Sequence, residues 1–200
     1  NKRFRSLGFL TLKSNAPATA RVADLTNGGV NIGNTIVGDV TMERYLLNGR
    51  KWRLLAAPTI NATQTISSSW QENYVNVPGY GFNAADTRAD YAARGFDLPG
   101  GNTSVKLFNG LTSNWDAVDN TNVTPINSEK GYITFVAGDR SITFPGSNAT
   151  TFRTTGTLNM GTQALINVTA NQFMVIGNPY PSRIDMRNIS RTNLSAMYYV

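Results

Sequence analysis

The chain has 200 residues, a formal net charge of +6, only 15% charged residues, and neither cysteine nor histidine. This composition excludes disulfides, thiolate nucleophiles, Ser-His-Asp triads and histidine-ligated zinc within the chain. The length fits one large β domain, or one domain with a small appendage, which buries enough surface to fold without disulfides.

Short segments of alternating apolar and polar residues, separated by Gly, Asn, Pro and Asp, run through the whole chain. This pattern is typical of β-strands in a sandwich or barrel. The predicted strands are, in chain order, 7–12, 18–25, 37–47, 51–57, 104–108, 111–118, 132–136, 140–144, 151–158, 163–168, 172–176 and 196–200. A single flat sheet of so many strands would leave an apolar face in water. The sequence therefore predicts an all-β fold, a two-sheet, jelly-roll-like β-sandwich.

Asparagine and glycine pairs mark the predicted turns between these strands. Asn48-Gly49, Asn109-Gly110 and Gly138-Asp139 each lie between two β-forming segments, and Asn27-Gly28-Gly29 follows the second strand. Because Asn and Gly tolerate positive φ, such pairs favour tight hairpin turns.

The segment 77–101 interrupts the strand pattern. Within it, Asn83 to Arg94 is rich in alanine, begins with a capping asparagine and is followed by Gly95. These are start and stop signals of a helix. We expect one short helix inside a long loop, with an irregular glycine-rich loop as the alternative. Long loops in compact β domains bind ligands or cover one end of the sandwich.

Composition changes near residue 40. Residues 1–40 are richer in Gly, Ala and Asn and form an N-terminal β extension, part either of a preceding unit or of an edge sheet. Residues 41–200 form the predicted sandwich domain. The chain ends inside an apolar run, so we expect it to be a truncated fragment. We expect its export signal to lie outside residues 1–200.

Charge and hydropathy give expectations about partners. No run of about 18 apolar residues exists, so no membrane insertion is expected in this segment. Basic residues are scattered apart from clusters at 2–5 and 50–53. Scattered cations favour solvated faces over a nucleic-acid groove.

The 12 acidic residues give only weak signals for catalysis or metal binding. A glycoside hydrolase needs two carboxylates facing each other across a cleft, and no local spacing singles out such a pair. Calcium is the one cofactor hypothesis, because it accepts flexible cages of oxygen ligands. Its candidate ligands in predicted loops are Asp97, Asp116, Asp119 and Asn120. Otherwise we expect no cofactor, no catalytic residue and no enzymatic activity.

Aromatic residues gather in the 70–96 region. Exposed rings beside Asn and Asp side chains form platforms for sugars. The alternative, that the rings fill the end of the sandwich, is favoured because burying one ring removes about 150–250 Å2 from water. The candidate ligand-binding residues are Trp70, Tyr74, Tyr80 and Tyr91.

Two further motifs suggest structural roles. Gly177-Asn178-Pro179-Tyr180-Pro181 predicts a rigid strand exit, because Gly and Asn allow unusual φ and proline fixes φ. Trp52 and Leu54 alternate along one predicted strand, and we expect both to face the core.

Three strings occur together in a distinctive order: VTMERY with RKWRLLAAP at 40–58, GYITFV at 131–136 and VIGNPYPS at 175–182. In combination, over residues 40–200, they resemble large surface proteins of Bacteroidetes that are exported by the type IX secretion system. The resemblance implies a β-sandwich region on the outer cell surface, with adhesion or surface architecture as its expected role.

The leading hypothesis is a non-enzymatic, extracellular structural or adhesive module of a bacterial cell-surface protein, including subunits of surface assemblies or filaments. The alternative is a carbohydrate-binding module that uses the aromatic residues of the 70–96 region. A carboxylate-based glycoside hydrolase is third. The expected partners are other surface proteins, copies of the chain itself or glycans, and not nucleic acid.

Overall fold

The protein is all-β, as the sequence predicts. The computed structural model describes residues 1–27, 30–126, 128–163, 168–195 and 197–198. No helix in these ranges reaches seven residues, and none is long and apolar enough to cross a membrane. The strands are β1 (Arg3–Arg5), β2 (Leu10–Leu12), β3 (Thr35–Val37), β4 (Val40–Leu46), β5 (Lys51–Leu55), β6 (Thr59–Ile60), β7 (Ala85–Asp86), β8 (Leu98–Pro99), β9 (Val105–Asn109), β10 (Asn114–Ala117), β11 (Tyr132–Val136) and β12 (Thr150–Leu158). The helical elements are α1 (Ile66–Ser69) and 3-10 turns at Glu72–Tyr74 and Met186–Asn188.

Two four-stranded sheets form the body of the fold. The front sheet has the order β10-β9-β11-β5 and the back sheet has the order β2-β4-β12-β6. Smaller parallel ladders join β1 to β3 and β7 to β8. Residues of both four-stranded sheets pack into one core, so the predicted two-sheet sandwich is confirmed.

The longest ladders lie at the centre of each sheet. β12 pairs antiparallel with β4, from Thr150 opposite Leu46 to Gly156 opposite Val40. β11 pairs antiparallel with β5, and its residues are alternately buried and half-buried. Because successive strand residues point to opposite faces, this alternation assigns one face of each sheet to the core.

The core between the sheets is centred on Trp70, which is 2% exposed. Its ring lies edge-on to Tyr132 of the front sheet at 5.3 Å between centroids, and 5.6 Å from Phe152 of the back sheet. A capping box fixes the start of α1: the Thr65 hydroxyl accepts from the Ser68 amide at 3.1 Å, and the Ser68 hydroxyl accepts from the Thr65 amide at 2.8 Å. The capped turn delivers Trp70 between the two sheets.

A smaller apolar cluster lies under the N-terminal segment. Val40, Met42 and Leu158 are buried there, against partly buried residues of the N-terminal forty. β2 pairs in parallel with β4, with Leu10 opposite Val40. The N-terminal segment thus supplies a strand of the back sheet, while the domain boundary near residue 40 stays a prediction.

The predicted turns have different outcomes. Asn109-Gly110 lies in the connection between β9 and β10, which pair antiparallel, so that hairpin is confirmed. Asn48-Gly49 does not close a hairpin, because β4 belongs to the back sheet and β5 to the front sheet. The turn instead carries the chain from one sheet to the other, which lets Leu46 and Leu55 share the same core.

Several predicted strands are wrong. Segment 18–25 forms only a bridge at Thr19, 140–144 forms turns without strand, and 172–176 forms only a bridge at Ile176. Short apolar runs of this kind form strands only where a neighbouring strand is free to pair with them. The predicted strands 163–168 and 196–200 and the turn at 27–29 extend outside the described residues.

The predicted helix at Asn83–Arg94 is also wrong. Residues 85–86 of this segment form β7, which pairs with β8. Bends and turns follow from residue 87 to 95. The buried Asp86 carboxylate accepts from the Thr87 amide and binds Arg88, so side-chain contacts override the helix propensity of the alanines. Gly95 has φ +76, so it does end the turns in the left-handed conformation expected of a stop signal.

Neither Gly177 nor Asn178 has a positive φ, so the backbone conformation does not require glycine in the 177–181 motif. Close packing around Gly177 requires it instead. A Cβ on Gly177 would lie 2.5 Å from the Lys130 carbonyl oxygen and 2.8 Å from the Ala56 Cβ. The Asn178 amide nitrogen donates to the Ser182 carbonyl at 2.6 Å, and its side-chain oxygen accepts from the Tyr180 amide at 3.0 Å. The motif is a compact turn against the front sheet.

Gly177→Ala should therefore destabilise the fold by about 1–3 kcal/mol, because the added methyl group has to displace backbone atoms. Gly101→Ala is the matched control, since its Cβ would meet nothing within 4 Å. Urea unfolding followed by circular dichroism measures both. Equal unfolding midpoints for the two variants would contradict the packing argument.

Candidate functional site

The aromatic residues that the sequence proposes as a sugar platform lie mostly in the core. Trp70 is buried, and Tyr91 packs against the core cluster. Tyr74 is exposed, but its hydroxyl donates to Asn122. Tyr80 is half-buried, with the Arg153 guanidinium 3.8 Å from its ring centroid. These four residues do not form one exposed platform.

The outer face of the front sheet is aromatic instead. Trp52 is 40% exposed and Leu54 is 60% exposed, so the expectation that they face the core is wrong. Leu55 is the buried residue of β5. Trp52 lies opposite Phe135, and Leu54 lies opposite Ile133. Directly opposed residues share a face, so β11 fixes the outward direction of both β5 residues.

This outer surface, here called the aromatic face, comprises Trp52, Lys106, Phe108, Trp115 and Phe135. The rings of Trp52 and Phe135 meet edge-on with centroids 5.5 Å apart, and those of Phe108 and Trp115 meet edge-on at 5.4 Å. The Lys106 ammonium lies 5.3 Å from the Trp52 ring. The two ring pairs lie toward opposite ends of the sheet.

A cleft of about 460 Å3 opens at the Trp52 end of the aromatic face. Trp52, Phe135 and the 80% exposed Phe144 line it, as do the loops around residues 83–85, 98–104 and 137–144. The Arg50 guanidinium lies 4.8 Å from the Phe144 ring centroid and 5.6 Å from that of Phe135. This aromatic cleft falls within the usual size range of small-ligand sites.

Polar groups complete the aromatic cleft. The Asn83 amide nitrogen donates to the Arg140 carbonyl at 2.8 Å, and Asn102 is exposed at the rim. Asp139 accepts from the Gly79 amide at 2.7 Å and from the Ser141 hydroxyl at 2.6 Å. Burial acts to raise the pKa of Asp139, but these hydrogen bonds outweigh it and hold the pKa below its ordinary value.

A second, polar cleft of about 630 Å3 lies on the outer face of the back sheet. At its centre Arg153 binds both carboxylate oxygens of Glu72, at 3.1 Å and 2.5 Å. The hydrogen bond to Glu72 raises the pKa of Arg153 above its ordinary value, against the opposing effect of burial. Thr41 and Thr155 bind each other across the strands at 2.9 Å.

Glu43 and Glu72 are the two carboxylates that the fold brings to this polar cleft. Glu43 accepts from the Ser14 amide at 3.1 Å and from the Tyr80 hydroxyl at 3.4 Å. Both oxygens of Glu72 are bound to Arg153. Glu43 thus connects β4 to Ser14 and Tyr80, and Glu72 connects the 3-10 turn Glu72–Tyr74 to β12.

The proposed calcium ligands are engaged separately. Asp97 accepts from Arg140, from Gln71 and from a backbone amide. Asp119 pairs with Arg88 and Arg94. Among the described residues, no group of three or more acidic side chains is placed to hold a metal ion.

Ion pairs pin the long 77–101 segment to the sandwich. Arg88 and Arg94 both bind Asp119 outside the segment, and Asp97 binds Arg140. These contacts attach the segment to the sandwich, where it forms one wall of the aromatic cleft.

Inside the segment, the buried Asp86 pairs with Arg88 at 2.5 Å. Burial acts to raise the pKa of Asp86, but hydrogen bonds from Arg88, Thr103 and Thr87 lower it below its ordinary value.

Sequence reasoning missed Arg50, Phe135 and Phe144 and placed Trp52 in the core. A signal for Phe135 did exist: if Tyr132 and Val136 face inward, strict alternation places Phe135 outward. Trp52 then follows from its pairing with Phe135, which is a long-range fact. No comparable local pattern indicated Phe144.

Comparison of the chain with known protein families, with curated proteins and with solved structures found no match.

Asp97→Asn should destabilise the protein by about 3–5 kcal/mol, because it leaves the buried Arg140 guanidinium without its counter-charge. The matched control is Asp185→Asn, which removes an ion pair to the exposed Arg187 and should leave the unfolding midpoint unchanged. Chemical denaturation at neutral pH measures both. An equal loss of stability in the two variants would contradict the claim that Asp97 holds the 77–101 segment in place.

Proposed function

We propose that the chain is a non-enzymatic adhesive module of a bacterial cell-surface protein, and that it attaches by binding carbohydrate in the aromatic cleft. The observation that carries the proposal is the set of rings from Trp52, Phe135 and Phe144 around one cleft, beside Asn83 and Asn102.

Carbohydrate suits this combination of groups. A pyranose ring presents C–H groups that pack on an aromatic ring, while its hydroxyl groups need donors and acceptors at the rim. Phe144 is largely exposed and Trp52 substantially so, although both are large apolar side chains. Clustered exposed rings of this kind mark interaction surfaces more often than isolated ones do.

Several observations support a binding role over catalysis. The chain has no histidine and no cysteine. In the polar cleft, Glu43 and Glu72 are bonded to protein groups. In the aromatic cleft, Asp139 is 5% exposed and accepts hydrogen bonds from Gly79 and Ser141.

The extracellular address is supported by the resemblance to type IX-secreted surface proteins of Bacteroidetes and by a polar, weakly charged composition. A second candidate function, as a subunit of a surface assembly, is favoured by one observation. β5 is an edge strand of the front sheet and carries the exposed Trp52 and Leu54. An edge strand can pair with a strand of another chain.

Trp52→Ala should weaken glycan binding about tenfold or more, since removing a stacked ring forfeits about 1.5 kcal/mol or more of apolar contact. The matched control is Trp115→Ala, which lies on the same aromatic face outside the cleft and should bind normally. A glycan array identifies ligands, and isothermal titration calorimetry measures affinity for each variant.

Failure of every glycan to bind, or equal binding by Trp52→Ala and the wild type, would contradict the proposal. A stable oligomer of the wild type in sedimentation experiments, which dissociates in the Trp52→Ala variant, would favour the assembly function instead.

A further inference from the structure

Two cations at or beside the aromatic cleft have no carboxylate partner among the described residues. Arg50 lies over the rings of Phe144 and Phe135, and Lys106 lies over the ring of Trp52. Neither takes part in the ion pairs that engage other arginines of the chain. Within the part of the chain that the structure describes, Arg50 makes one long hydrogen bond, at 3.4 Å to the Gly146 carbonyl. Both charges are therefore available to a ligand.

The acidic residue that lines the cleft does not cancel these charges. Asp139 lines the cleft, but its carboxylate is buried and accepts from the Gly79 amide and from the amide and hydroxyl of Ser141. With Arg50 and Lys106 against Asp139, the surroundings of the cleft carry a net positive charge. The accessible part of that charge belongs to the two cations.

We infer that the aromatic cleft takes an anionic sugar, a pyranose that carries a carboxylate or sulfate group. This inference rests on the proposed function and deepens it. The sugar ring packs on the exposed aromatic side chains, and its anionic group meets the Arg50 guanidinium, with Lys106 at the far side of Trp52.

The position of Arg50 suits this role. The N–H donors of a guanidinium lie in its plane, and they bind the oxygens of a carboxylate or sulfate in pairs. The rings also limit the conformations of the side chain before the ligand arrives, which lowers the entropy lost on binding.

A single-stranded nucleic acid is a different ligand class that also stacks on aromatic rings. Such ligands follow a groove with cations along the whole backbone path. Among the described residues, Arg50 is the cation that lines the aromatic cleft, Lys106 lies beside it over the Trp52 ring, and the distal ring pair of Phe108 and Trp115 has no cation over its rings. The compact arrangement favours one anionic group.

The test compares oligogalacturonate with the same oligosaccharide fully methyl-esterified, which keeps the rings and removes the charge. A sulfated oligosaccharide separates the two anionic groups, and oligothymidylate tests the nucleic-acid alternative. We expect the free acid or the sulfated sugar to bind at least about tenfold more tightly than the ester, with affinity falling as salt rises.

The variant is Arg50→Gln, and its matched control is Lys51→Gln, which removes the exposed cation next to Arg50 in sequence that does not line the cleft. Arg50→Gln should weaken binding of the anionic sugar about tenfold and leave binding of a neutral sugar nearly unchanged. Lys51→Gln should change neither.

Equal affinity for the free acid and its ester, or equal loss in Arg50→Gln and Lys51→Gln, would overturn the anionic-sugar inference while leaving the carbohydrate proposal standing. If no sugar on the array binds, both fail. Tighter, Arg50-dependent binding of oligothymidylate would overturn the inference in favour of nucleic acid.

Discussion

The position of Trp70 between the two sheets is the constraint on which the structure depends. Its ring packs against Tyr132 of the front sheet and Phe152 of the back sheet, so both strands must turn those residues inward. Strand geometry then determines the direction of the adjacent side chains, because successive side chains point to opposite faces. Phe135 follows as an outward residue, and Trp52 follows from its pairing with Phe135. The core thus determines which aromatic residues reach the surface.

The same packing holds one wall of the aromatic cleft. Asp97 joins Gln71 at the end of α1, the backbone amide of Ala84 and the buried Arg140 through four hydrogen bonds. Since Arg140 directly follows Asp139 of the cleft wall, the core, the 77–101 segment and the cleft form one connected unit. A site held this way loses little entropy when a ligand binds, and preorganisation of this kind raises affinity without additional contacts. The Arg153 and Glu72 pair has a similar bracing role on the back sheet.

The sequence predicts the long strands well because their alternation extends over enough residues to define a face. β4, β11 and β12 lie close to their predicted bounds, as does the hairpin at Asn109-Gly110. The 51–57 segment is harder, since WRLLAA satisfies period two in either phase, and only pairing with β11 selects Leu55 as inward. The alanine-rich segment has local helix signals, but Arg88 and Arg94 bind Asp119, which is distant in sequence. Local propensity cannot anticipate such contacts. The aromatic cleft depends on both kinds of long-range information, so the sequence alone indicated other rings than those that line it.

The chain contains three tryptophans, and the structure places each in a different environment: Trp70 in the core, Trp52 at the aromatic cleft and Trp115 on the distal part of the aromatic face. Nitrogen-15 NMR resolves one indole N–H signal for each, and single substitutions assign them. During titration with oligogalacturonate, the Trp52 signal should shift in proportion to binding while the Trp70 and Trp115 signals stay in place. In the free protein the Trp70 N–H should exchange slowest with solvent. A ligand-dependent shift of Trp70 with none at Trp52, or fast exchange of the Trp70 N–H, would contradict the account.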